Sequence, residues 1–382
     1  MKSFPIEQFK EVAINQGHSQ EYIDFCLKYA NQLIDKNYPV IFTIEHLAVV
    51  IGVESDYLRF LVGDIKHEQF EFDRFEYKEK RYNYFKFTKK RGGYREIMAP
   101  HKDLKYIQKW LLFNILDKYP FKNSCKGFRQ GISIKDNALP HEKSDVILKV
   151  DLLKFYDTIT EKRIYGVFKT MGFHGNLAVS LAKLCTAKHQ SDYWENFTEK
   201  EKLILSEFIK TSPSILPQGA PSSPALANIV ATRMDGRFDA LSKKMNFSYS
   251  RYADDLTFSV KEKAVLPPLK LISKIIQEEG FYINEDKIQY MKRGNKQFVT
   301  GLTIANGVHT SKKYRKQIAR HIHFCRKYGV ENHLDKNNKE FKGYNILNFH
   351  DWLYGHICYI NSVDKEASKK MLNDFNKITW SI

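Results

Sequence analysis

The sequence of 382 residues predicts an α+β chain, a small antiparallel sheet backed by helices. Three patterns carry that expectation. The apolar run VILKV at 146–150 reads as a buried strand entering a turn. FSYSRYADDLTFSV at 247–260 reads as two short strands about a polar turn, a hairpin. Around them lie stretches with apolar residues at helical spacing, such as KDLKYIQKWLLFNILDKY at 102–119. Apolar residues make up 43%, enough for a sizeable core, which rules out a disordered chain.

The elements follow in order. Residues 1–65 read as a small helical extension. EYIDFCLKYANQLI has helical periodicity, and EHLAVVIGVESDYLRFLVG reads as helix, turn, helix. From Phe70 to Phe87 aromatic and charged residues alternate, as in half-buried strands of a hairpin. Arg91-Gly92-Gly93 signals a turn before the strand YREIMAP. The polar stretch 187–214 has no strand pattern and reads as a surface insertion. LPQGAPSSPALANIVATRMDGRFDALSKK, 216–244, opens as a Pro/Gly/Ser turn and continues as one long helix. KAVLPPLKLISKIIQEEG is a helix closed by Gly280. After Asn284 the chain reads as basic and mostly helical.

Charge narrows the function. Lys+Arg 61 against Asp+Glu 44 gives a net +17. Residues 1–80 carry 9 basic and 14 acidic side chains, so residues 81–382 carry a net +22. A body this basic, with 27 Phe and 22 Tyr, suits a polyanion whose bases can stack on aromatic rings, a nucleic acid. No apolar run approaches the roughly 18–20 residues of a membrane span. The N-terminus MKSFPIEQFKEVAINQ lacks the apolar core of a signal peptide. Cys26, Cys125, Cys185, Cys325 and Cys358 are scattered without a CxxC pair. That spacing argues against a disulfide framework or a structural zinc, and a cytoplasmic location is expected.

Three carboxylates stand out by their neighbours. Asp151 ends the strand VILKV, and Asp254 and Asp255 sit at the hairpin tip. An isolated Asp-Asp pair is most often just a turn. A carboxylate at a strand end facing one at a hairpin tip is instead a site for hard cations. Two such ions about 3.5–4 Å apart stabilise both the attacking and the leaving oxygen of an in-line phosphoryl transfer. Adjacent strand residues point to opposite faces, so Asp254 and Asp255 converge only if the turn twists one of them round. Asp151 and Asp254 are therefore the leading pair, with Asp255 third.

Tyr252-Ala253-Asp254-Asp255 resembles the YxDD box of reverse transcriptases. Asp151-Leu152-Leu153-Lys154-Phe155-Tyr156 is similar to their first carboxylate motif, and Pro217-Gln218-Gly219-Ala220-Pro221-Ser222-Ser223-Pro224 extends the resemblance to their nucleotide-pocket motif. Asn284-Glu285-Asp286-Lys287 resembles the Asn-x-x-Lys motif that follows the catalytic hairpin. Four motifs in order over 151–287 make a specific signal. Asn137-Ala138-Leu139-Pro140-His141 matches the NAxxH element, and Val299-Thr300-Gly301 the VTG element, of retron reverse transcriptases. Lys126-Gly127-Phe128, Arg95-Glu96-Ile97 and Trp352-Leu353 fall where that group has similar blocks, so the resemblance covers roughly 85–365.

The resemblance implies a right-hand polymerase. Fingers and palm would occupy 66–290, with the insertion at 187–214, and a basic helical thumb and tail 291–382. It implies catalysis and metal binding by Asp151, Asp254 and Asp255, with two Mg2+ ions and Mn2+ as an alternative. Tyr156 would be a steric gate against a 2′-hydroxyl, and Phe155 a core residue. Gln218 offers amide groups to sugar or base, and Gly219 permits close backbone approach. Arg95 is a candidate triphosphate clamp, and Lys287 a neutraliser of, or proton donor to, pyrophosphate. Asn137, His141, Val299, Thr300 and Gly301 would organise RNA. The stretch 287–327 holds eleven Lys or Arg and no acid. Within it Lys312, Lys313, Arg315, Lys316 and Arg320 on a helix would track an RNA or hybrid backbone, binding that falls steeply with salt.

As a retron enzyme the protein would copy a structured non-coding RNA from deoxynucleotides. It would prime from the 2′-hydroxyl of an internal guanosine, leave a branched RNA–DNA product, and serve antiphage defence beside a separately encoded effector protein. Too few residues follow the thumb for an RNase H domain, so a host RNase H is expected to remove the template. Two alternatives stand beside this reading. One is another bacterial defence or group II intron-like reverse transcriptase with different priming. The other is chiefly an RNA-binding scaffold that restrains a toxin.

Overall fold

The computed structural model describes residues 4–63, 81–88, 94–190, 192–209, 211–262 and 264–380. The chain forms two compact units. One comprises Met1–Gly131, Leu152–Phe238 and Pro268–Asn284; the other comprises Ile132–Asp151, Asp239–Pro267 and Glu285–Ile382. This partition cuts across contiguous ranges. The N-terminal helices belong to the first unit, while the central sheet and the C-terminal helices share the second.

In the first unit the expected N-terminal helices are Ile6–Asn15, Gln20–Asp35, Ile44–Ile51 and Ser55–Val62. Ser19 and Thr43 accept backbone N–H groups at two of their starts, and Gly52 and Gly63 end two of them in left-handed conformations. Strands β1 (Tyr82–Thr88) and β2 (Tyr94–Pro100) pair antiparallel, with Phe87 opposite Arg95. The rest of the alternating segment, 70–80, and the turn at 91–93 lie outside the described residues. Helices Lys102–Asn114, Glu161–Met171 and Gly175–Cys185 follow. The stretch 187–214 is more than a surface loop. Its residues Tyr193, Phe197, Leu205 and Ile209 are buried, and a helix at Glu199–Leu205 starts from a reciprocal Thr198–Glu201 capping box. The single helix expected after Pro217 is two, Ser223–Val230 and Thr232–Met245.

The second unit is built on a four-stranded antiparallel sheet of β3 (Val146–Asp151), β4 (Ser248–Tyr252), β5 (Asp255–Val260) and β6 (Gln289–Lys292), in the order β4-β5-β3-β6. The apolar run of β3 buries Ile147, Leu148 and Val150. A minimal hairpin, β7 (Phe298–Val299) and β8 (Leu302–Thr303), turns through Thr300 and Gly301, both at positive φ. Strands therefore interrupt the mostly helical stretch expected after Asn284. Helices Lys312–Tyr328, Ile346–Val363 and Lys365–Phe375 surround a core that includes Ile318, Ile322, Phe349, Leu353 and Ile357. No helix among the described residues is long and apolar enough to cross a membrane.

Candidate active site

The end of the sheet gathers the acids. Asp151 closes β3 and lies in register opposite Asp255, the first residue of β5. Directly paired residues of neighbouring strands share a face, with Cβ atoms about 4.5–5.5 Å apart. Tyr252 also pairs with Asp255, so Ala253 and Asp254 form a two-residue turn. Ala253 takes a φ of 55°, a left-handed conformation costly for a residue with a Cβ. The guanidinium of Arg251, fully buried in β4, donates to the Ala253 carbonyl at 3.0 Å and holds the turn. The turn thus solves the pleat problem: Asp255 faces Asp151 across the ladder, and Asp254 sits beside them on the tip.

Burial pushes the Asp151 carboxyl up to about 6, and the charges of Asp254 and, less, Asp255 push the same way. Lys287, whose Nζ lies 2.7 Å from Asp151 Oδ1, opposes the shift. Burial also raises the Asp255 carboxyl, against Lys149, whose Nζ lies 2.6 Å from Asp255 Oδ2. Two lysines leave the three acids under-compensated. Hard carboxylate oxygens crowded in this way fit a divalent cation. Among the described residues no three His, Cys, Asp or Glu side chains stand ready as a metal cage. Magnesium does not require one, since it uses one or two carboxylates together with water and substrate phosphates.

Of the residues expected to meet a nucleotide, Arg95, Tyr156, Gln218 and Gly219 lie in the first unit and Lys287 in the second. Arg95 is exposed on β2. The Met98 N–H donates to the Gln218 carbonyl at 2.7 Å, so the Gln218-Gly219 turn lies along β2. Gly219 has a φ of 120°, and a Cβ there would come within 2.9 Å of Ile97 and 3.0 Å of the Met98 carbonyl. Only glycine satisfies both restraints. Phe155 is buried against Phe281, and the half-buried Tyr156 meets Phe155 edge-on at 5.6 Å.

Sequence comparison agrees with this geometry. The family model described as "Reverse transcriptase (RNA-dependent DNA polymerase)" matches residues 87–341. The chain is 33% identical over 293 residues to Retron Mx65 reverse transcriptase of Myxococcus xanthus, covering 76% of this chain and 65% of that one. It is 34% identical to Retron Mx162 reverse transcriptase of the same organism, over 56% of this chain and 45% of the relative. It is 30% identical to Retron Ec86 reverse transcriptase of Escherichia coli, over 74% and 76% of the two chains. This chain belongs to the retron reverse transcriptases. It spans 65% or less of the length of the two Myxococcus relatives.

Several residues expected to organise RNA make internal contacts instead. His141 is fully buried, with Nδ1 2.7 Å from Ser259 Oγ and Nε2 2.8 Å from Ser250 Oγ. Ser250 donates onward to Asn137 Oδ1 at 2.8 Å, and Ser144 donates to Ser259 at 3.0 Å. Followed through, the chain of donors assigns a neutral ring with its proton on Nε2. Asn137 and His141 are internal braces for β4 and β5, which corrects the expectation of direct RNA contact. Val299 is also buried, packed with Ile147 and Ala138. The Thr300 hydroxyl donates to the Ile134 carbonyl at 3.1 Å, leaving Gly301 exposed at the turn. Arg315 is half-buried and donates to Asp364, while Lys312, Lys313, Lys316 and Arg320 are exposed on the same helix.

Sequence reading missed Lys149 and Arg251. Lys149 had a signal, since it stands two residues before Asp151 in a strand and so shares its face. Arg251 had none, because a basic residue beside a hairpin tip reads as solvated.

Proposed function

We propose that this chain is an RNA-directed DNA polymerase that copies a structured non-coding RNA into DNA. The convergence of Asp151, Asp254 and Asp255 on one end of the sheet carries the reading, in a chain of this family. The three carboxylates would hold divalent cations, two Mg2+ in our reading, with Mn2+ as an alternative. Bound there, the ions supply positive charge to the attacking and leaving oxygens of an in-line displacement.

The chain's own residues do the rest. Arg95 grips phosphate bidentately. Tyr156 fills the space a 2′-hydroxyl would need, and Gln218 offers an amide to sugar or base. Lys287, paired with Asp151, brings a cation to the acid cluster and in this reading neutralises pyrophosphate. The exposed lysines of 312–316 and Arg320 neutralise the backbone of RNA or hybrid.

In the finer reading, synthesis starts from the 2′-hydroxyl of an internal guanosine and leaves a branched product. The system serves antiphage defence with a separate effector, and a host RNase H trims the template. The test is to express the chain with its neighbouring locus and sequence the nucleic acid that co-purifies. DNA joined 2′–5′ to an RNA guanosine is expected. Linear DNA alone would favour another priming mode. Full biological activity from a variant with Asp254→Asn and Asp255→Asn would favour the RNA-binding scaffold.

A further inference from the structure

The insertion at 187–214 reaches the nucleotide-pocket residues through one histidine. The side chain of His189 is 3% exposed and that of its partner Glu96 is 4% exposed. Nδ1 of the ring bonds Glu96 Oε2, and Nε2 lies 3.2 Å from Asp157 Oδ1, an ion-pair contact outside hydrogen-bond geometry. Glu96 follows Arg95 on β2, and Asp157 follows Tyr156. The other Glu96 oxygen is buried without a hydrogen-bond partner among the described residues, so His189 is the countercharge that carboxylate relies on.

Neighbouring contacts hold the ring in place. The Tyr84 hydroxyl, on β1, donates to the Lys188 carbonyl at 3.0 Å. The buried Tyr193, whose ring lies 5.7 Å from that of His189, donates to the Asp157 carbonyl at 2.9 Å. Lys154, three residues before Asp157, stands over the Phe197 ring at 4.7 Å. Burial works to deprotonate His189, but the contacts with Asp157 and Glu96 outweigh it and hold the ring's pKa above its ordinary value. An imidazolium carries a proton on each nitrogen, so it presents positive charge to both acids at once, by a hydrogen bond to Glu96 and an ion-pair contact with Asp157.

We propose that His189 is a positioning residue for the incoming deoxynucleotide, tying the strand that carries Arg95 to the segment that carries Tyr156 through Glu96 and Asp157. The inference rests on the reading of Arg95 and Tyr156 given above and assigns the insertion its task. His189 touches no substrate. It fixes the spacing between a phosphate grip and a sugar gate.

The test is steady-state incorporation of single nucleotides by the full chain on an RNA template, alongside thermal unfolding. His189→Ala is expected to raise KM for the deoxynucleotide about tenfold while kcat stays within about twofold. Its preference for deoxy- over ribonucleotide is expected to fall about fivefold. Glu96→Ala removes the ring's partner on the strand that carries Arg95 and is expected to raise KM and lower the sugar preference as His189→Ala does, and unchanged values in both variants would overturn the proposal. A His189→Ala protein with a lower unfolding midpoint but unchanged KM and sugar preference would show a merely structural role and overturn the proposal. If that variant does not fold, His189→Gln, whose neutral amide has both its N–H donors on one nitrogen and no charge to offer the two acids, is judged by the same readouts. Tyr156→Ala runs in parallel. If it leaves the sugar preference unchanged, the gate reading fails and the inference with it. If it shifts the preference and the His189 variants do not, the positioning inference alone fails.

Discussion

One face of one sheet carries two polar clusters with opposite characters. Ser259 and Asp255 are four residues apart on β5, so they share that face about 14 Å apart. Around Ser259, the side chains of Ser144, His141, Ser250 and Asn137 pass hydrogen bonds in a single direction, neutral and buried. Around Asp255, three acids meet two lysines, and burial with mutual repulsion lifts Asp151 to about 6. The first cluster is satisfied and therefore rigid. The second is strained in charge and therefore receptive to cations. The proposed chemistry belongs to the end where the charges do not balance.

The contrast is sharpest in variants at the acid end. Asp151→Asn should abolish primer extension to within roughly a thousandth of wild type, the scale of removing one preorganised electrostatic partner. Its unfolding midpoint should hold steady or rise. A carboxyl raised in the folded state costs stability above its unfolded pKa, and the amide removes that cost. RNA binding measured by filter retention should persist. Near-normal extension would end the catalytic assignment of the acid end.

The brace should answer in the opposite way. His141→Ala takes one hydrogen bond from each of two buried serine hydroxyls and leaves a cavity, so chemical denaturation should show a loss of about 2–4 kcal/mol. The folded fraction should keep most of its specific activity. Inactivation without destabilisation would merge the two clusters into one functional site.

Acid should find the same brace. Burial is the largest cause, with the charges of Lys261 and Lys149 behind it, of a His141 pKa lowered to about 3. Below pH about 6.5 the unfolded chain takes up a proton that the folded ring refuses, so unfolding gains protons and stability falls with pH. That part of the stability present at neutral pH should drain away as pH falls from about 6.5 to 3, by roughly 5 kcal/mol in full. Urea titrations at stepped pH measure it, and the His141→Ala protein should show a shallower decline.

The acid end was legible because strand and turn carry strong local signals. An apolar run ending in Asp151 and an alternating hairpin with acids at its tip each specify structure within a few residues. The brace was not legible. Asn137 and His141 are the same polar residues whether they face RNA or serines inside a fold, and only burial separates the cases. The β7–β8 hairpin escaped because two-residue strands give no alternation to count. The insertion at 187–214 read as surface because its anchors, Tyr193 and Phe197, are spaced irregularly among charges. Gly219 had a clear signal, yet its physical reason, the approach to β2, needed the register of a strand more than a hundred residues earlier.

Lys149 joins the two clusters and offers the subtlest test of their separation. It lies opposite Thr257, between them on the shared face, pairs with Asp255, and opposes protonation of His141. Lys149→Met should cost about three- to fivefold in kcat/KM, the worth of a half-exposed ion pair. It should also let the His141 pKa rise toward its unfolded value. A smaller gap between folded and unfolded pKa means less stability lost on acidification, so the variant's urea midpoint should fall less than wild type's between pH 7 and about 4. An unchanged acid dependence beside reduced activity would mean that the lysine serves Asp255 alone, and that the brace is electrically independent of the chemistry on its own face.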